Sequence, residues 1–163
     1  MSQASVLLVV SLTFRAVAAP AAQECGQDTV GVREIRAVAT GIIAADNERA
    51  IERVVAYYTL DAIWMPPEQD AVIGREKIRA RYEALFAAFT PEISPTIEQA
   101  CVAEGLGFVR GHNSGRVVDR MSGAARGLDD AYLMLLRREG DGAWRISHLM
   151  WHRRSRASAP AGD

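Results

Sequence analysis

Asp61-Ala62-Ile63-Trp64-Met65-Pro66-Pro67-Glu68-Gln69-Asp70-Ala71-Val72-Ile73-Gly74-Arg75-Glu76-Lys77-Ile78-Arg79 reads as a strand, a double-proline break, a short extended piece, a glycine turn and the start of a helix. Ala62 to Met65 is an apolar run that contains the β-favouring Ile63 and Trp64. Pro66 and Pro67 cannot donate to a sheet ladder, so pairing is expected to stop there. Gly74 permits a sharp reversal. From Arg75 to Phe89 the apolar residues Ile78, Tyr82, Leu85, Phe86 and Phe89 recur at helical spacing.

The chain on either side extends this pattern. Asp28 or Thr29 can cap a helix running to about Ala45, with Val32, Ile35, Val38, Ala39, Ile42 and Ile43 as its apolar stripe. Asp46-Asn47 is expected to break that helix and cap a second one, from about Glu48 to Tyr58. Thr90-Pro91 ends the third helix. Strands are then expected at Thr96 to Ala103, Leu106 to Val118, Asp130 to Arg138 and Ala143 to Arg153, with a loop over residues 119 to 128 and a hairpin turn at Glu139 to Gly142. Gly107, Gly111 and Gly115 inside the second of these point to bends or bulges that let a sheet curl. Three helices followed by antiparallel strands make an α+β domain, one curled sheet wrapped around helices, over residues 28–153. Residues 154–163 read as a disordered tail.

Composition bounds the function. The 163 residues suit one domain, and the net charge of −1 gives no electrostatic reason to bind nucleic acid. No apolar run reaches the ~18 residues that span a bilayer. Ala4 to Phe14 resembles a signal-peptide core, with small-residue cleavage patterns at Ala16-Val17-Ala18 and Ala19-Pro20-Ala21. Residues 1–21 are therefore expected to direct export, to a periplasm or to the outside, leaving no membrane association after removal. In that setting Cys25 and Cys101, the two cysteines, can form a disulfide or remain two thiols.

The 61–79 stretch resembles the SnoaL-like group of the nuclear-transport-factor-2-like superfamily. Phe108-Val109-Arg110-Gly111, Gly142-Ala143-Trp144-Arg145-Ile146 and Trp151-His152 extend the resemblance over roughly residues 30 to 153. It implies a cone-shaped α+β barrel, three N-terminal helices packed in a curved antiparallel sheet, with a small-molecule pocket at the open end. It also implies a homodimer through the outer face of the sheet, where Trp64 and Trp151 are expected to be buried. The ketosteroid isomerases of this superfamily use an Asp base, matched here by Met65, and a helix-one tyrosine, which falls near Val38. Neither replacement moves a proton, so that mechanism is not expected.

Nucleophile elbows, phosphate loops and dinucleotide fingerprints are missing, and no cofactor is implied. His148 and His152 share a strand face about 13 Å apart, too far for one metal, and no metal site is expected. The candidate acid–base residues are His148, Asp130 and His112. Met65, Tyr82, Phe86, Tyr132, Met134 and Met150 are the candidate lining of an apolar ligand pocket. The sequence thus points to a dimeric binder of a small apolar molecule. The alternative is an isomerase, cyclase or dehydratase that uses a pocket His or Asp.

Overall fold

The computed structural model describes residues 29–154. The expected signal segment, Cys25 and the expected tail beyond Arg154 lie outside the described residues. Cys101 is disulfide-bonded.

The elements are α1 (Thr29–Asn47), α2 (Ile51–Ala56), β1 (Tyr58–Met65), β2 (Val72–Ile73), α3 (Arg75–Ala88), β3 (Phe89–Ala103), β4 (Leu106–Asp119), β5 (Ala125–Arg138) and β6 (Trp144–Arg153). The six strands form one curved sheet in the order β2-β1-β6-β5-β4-β3. The sheet wraps the helices as the expected cone, but β2 and β3 remain free edges, so it is not a closed barrel. Nor is it wholly antiparallel, because β1 runs parallel to β6.

The 61–79 stretch behaves as its residues dictate. β1 stops at Met65, before the two prolines, and Val72–Ile73 returns to pair with Ile63 and Trp64. Gly74 then takes φ +97°, a conformation that disfavours other residues, and donates its N–H to the Ala62 carbonyl at 2.8 Å while starting α3. The inner stripe of α1, Ile35, Ala39, Ile42 and Ile43, is buried against Tyr58, Ile78, Val109, Met134, Leu136 and Ile146. Each such aliphatic side chain contributes about 1.5–3 kcal/mol.

Several boundaries differ from expectation. Tyr58 opens β1 instead of closing α2, and β5 begins at Ala125, five residues earlier than expected. β3 begins at Phe89 and passes through both Pro91 and Pro95. The backbone N–H and C=O of Ile93 turn away from β4 and bond to the Asn47 side chain, each at 2.8 Å. Pro91 and Pro95 share the parity of Ile93, so a proline there removes no ladder bond.

Two strands carry an extra residue. In β3, Ile97 pairs with Gly111 and Gln99 with Arg110, which leaves Glu98 as the bulge. In β6, Ile146 pairs with Leu136 and His148 with Leu135, which leaves Ser147 as the bulge. A bulge reverses which side chains face inward beyond it, and the second one decides the composition of the site.

Candidate functional site

Between the helices and the inner face of the sheet lies a cavity of about 600 Å³. Its interior is made by Ile42, Ile43 and Asp46 of α1, Trp64 of β1, Tyr82 and Phe86 of α3, and Tyr132, Met134, Leu149 and Trp151 of the sheet. Exposed Glu68, Gln69, Arg126 and Arg153 stand on its rim. That volume is in the usual range for a small-molecule site.

The bulge at Ser147 explains why Met150, one of the six residues expected to line the pocket, is replaced. Trp144 and Ile146 face the core. Strict alternation would carry His148 and Met150 inward after them. With Ser147 inserted, Leu149, Trp151 and Arg153 face the cavity instead. His148 lies on the outer face, its Nδ1 3.1 Å from the Ser147 Oγ, and Met150 is 43 % exposed there. Met65 pairs with Met150 across β1 and β6 and shares the outer face, next to the inward Trp64. Trp64 and Trp151, expected on the outer face, are therefore interior neighbours with ring centroids 4.9 Å apart. His112 is also removed from the cavity, since its neighbour Asn113 lines it; His112 Nδ1 lies 3.2 Å from Glu98 on the bulge of β3.

Tyr82, Phe86, Tyr132, Met134 and Asp130 all border the cavity. Asp130 is half-buried between Asn113 and Arg153 on the neighbouring strands. Burial holds its carboxyl above the usual carboxylate range, with Arg153 opposing. Burial also pushes the Tyr132 hydroxyl up to about 12.

The residue missed by sequence reasoning is Asp46. Its Oδ1 is shut off from solvent and has no hydrogen-bond partner. Burial lifts its carboxyl to about 8, so it is mostly protonated at neutral pH. It lies within electrostatic reach of the Tyr58 and Tyr82 hydroxyls, which hydrogen-bond to each other at 3.1 Å and are themselves held high by burial. Among the described residues, five buried side-chain polar atoms lack a hydrogen-bond partner, and four belong to cavity residues: Asp46, Trp64, Asn113 and Tyr132. Buried polar atoms are normally partnered by protein or water, and here the unpartnered ones gather in residues around the cavity.

Residues 39–147 match the family described as SnoaL-like domain. The chain belongs to the SnoaL-like family. Among solved structures this SnoaL-like chain is similar to a ketosteroid isomerase-like protein from Erwinia carotovora atroseptica SCRI1043, with a TM-score of 0.73, 23 % identity, and coverage of 78 % of this chain and 99 % of that one. It is also similar to a conserved protein from Planctomyces limnophilus DSM 3776, with a TM-score of 0.69, 23 % identity, and coverage of 74 % and 93 %. A nuclear-transport-factor-2-like protein of unknown function from Pseudomonas putida KT2440 gives a TM-score of 0.63, 22 % identity, and coverage of 77 % and 88 %. At these identities the likenesses establish the SnoaL-like fold. None of the curated proteins matches the chain.

Proposed function

We propose that this SnoaL-like domain binds one small, largely apolar organic molecule inside the cone. The observation that carries this reading is the cavity of about 600 Å³ walled by aliphatic and aromatic side chains, with a few polar atoms left without partners. Native mass spectrometry of protein purified without detergent should show a drug-sized adduct. Leu149→Trp, which fills the cavity with a larger side chain, should remove the adduct while leaving a cooperative thermal transition. Equal adduct in wild type and Leu149→Trp would place the ligand elsewhere and end this reading.

A second reading, acid–base catalysis on that molecule, is supported by Asp130, a cavity carboxyl held high by burial. The same adduct separates the two. Incubated in D2O, a substrate of proton-transfer chemistry should gain mass at a carbon position, and Asp130→Asn should stop the gain. A ligand that only binds should gain none.

We further propose a homodimer through the outer face of the sheet. Ile63, Met65, Leu133, Leu135 and Met150 bring apolar side chains there, with Leu135 and Met150 each more than 40 % exposed. Light scattering coupled to size exclusion should give a dimer mass at micromolar concentration, and Leu135→Glu with Met150→Glu should give a monomer that still takes up the ligand.

A further inference from the structure

Building on the ligand-binding reading, we propose that the molecule the cavity takes is an organic cation, an apolar body whose ammonium group pairs with the Asp46 carboxylate beside an aromatic wall. Three observations converge on this. First, half-buried Asp46 borders the cavity, and its carboxyl has no hydrogen-bond partner in the protein at its enclosed oxygen, Oδ1. An unpaired buried acid is costly, and a ligand that supplies the missing partner removes the cost. Second, Phe86, Tyr82, Trp64 and Trp151 form a continuous chain of rings along the cavity, with successive centroids 5.4, 5.2 and 4.9 Å apart. The electron-rich faces of such rings attract positive charge. Third, among the described residues the interior holds no basic side chain: the basic residues that border the cavity are Arg126 and Arg153, both exposed on the rim near Asp130. A neutral hydrogen-bond acceptor could use the Asp46 proton but would gain nothing from the charge preference of the rings.

The two ligand chemistries have opposite pH dependence. An ammonium group needs Asp46 ionised, so its affinity rises as pH approaches the Asp46 value of about 8. A carbonyl needs Asp46 protonated, so its affinity falls over the same interval. The other groups that face this region are the Tyr58 and Tyr82 hydroxyls behind Asp46, the Tyr132 hydroxyl on the sheet, and Glu68, Arg126, Asp130 and Arg153 around the rim. Their contribution persists in Asp46→Asn and is subtracted by comparing that variant with the wild type.

Equilibrium dialysis with tetralin, 1-tetralone and 2-aminotetralin, three probes on one skeleton, tests the proposal. The amine should bind roughly tenfold more tightly than tetralin at pH 8, with the advantage shrinking toward pH 6. Asp46→Asn should erase that advantage, read as the ratio of amine to tetralin affinity within the same variant. Tightest binding by the ketone, weakening as pH rises, would overturn the cation in favour of a neutral acceptor. Equal binding of all three, unmoved by Asp46→Asn, would overturn the anchor alone and leave an apolar binding site standing. Binding of none would overturn both the anchor and the ligand-binding reading.

Discussion

Asp46 should make folding stability fall as pH rises from about 4 to about 8, by at most about 1 kcal/mol per pH unit, and Asp46→Asn should flatten that slope. The origin is the difference between the ordinary Asp value of 3.8 and the value of about 8 imposed by burial. Above 3.8 the unfolded chain releases the Asp46 proton while the folded chain keeps it. The folded state then binds more protons, so each rise in pH favours unfolding until the folded group also titrates near 8. Asp130, raised in the same direction, adds a smaller slope of the same sign. Asp61 and Asp141, lowered to about 2 by Arg137 and Arg145, act only at more acid pH. Urea denaturation at several pH values checks this. An unchanged slope in Asp46→Asn would mean that the carboxyl is solvated or paired in solution. The asparagine variant should also be the more stable protein at pH 8, because it removes a buried acid that no protein group satisfies.

Gly111→Ala should cost about 3 kcal/mol or more, at the upper end of what an added methyl group causes in a packed interior. A Cβ on Gly111 would stand 2.0 Å from the Thr96 carbonyl oxygen and 3.0 Å from the Tyr132 hydroxyl. The first neighbour is backbone, so it cannot swing aside as a side-chain tip does. Relief requires β3 and β4 to separate next to the Glu98 bulge, where the sheet turns over α1. Gly127→Ala is the matched control, since a Cβ on that β5 glycine meets nothing within 4 Å. It should change stability by no more than about 0.5 kcal/mol. Thermal denaturation of the two variants side by side gives the answer, and similar melting temperatures would contradict the close approach of the strands.

Much of the architecture was legible because its signals are local. The strand–proline–glycine–helix run at 61–79 and the stripe on α1 each report their own conformation. What failed was parity. Alternation along Leu149 to His152 divides the side chains into two sets without saying which set looks inward, and one inserted residue, Ser147, settles it. No local feature of Ser147 announces a bulge, because the bulge arises from pairing with β5. Met150 and Trp151 traded faces for that reason, while Trp64 and Met65 belong to β1, whose pairing with β6 shifts register between Tyr58 and Ile63. The prolines of β3 misled in a different way. They end a central strand but are harmless where the donor faces outward, and edge position is a property of the whole sheet. Asp46 was within reach of sequence reasoning. The stripe Ile35, Ala39, Ile42 continues to position 46 with the same spacing, so a charged residue there occupies a core-facing site. Its place before Asn47 suggested a cap and hid that.

Pro91, Pro95 and the Asn47 clamp have a consequence for assembly. The outer margin of β3 has its Ile93 groups already engaged and lacks amide donors at 91 and 95, while the opposite margin, β2, is two residues long. A foreign strand therefore finds little backbone to zip onto at β2 or along residues 91–95 of β3. Strand-by-strand growth is thus disfavoured at β2 and over the first half of β3.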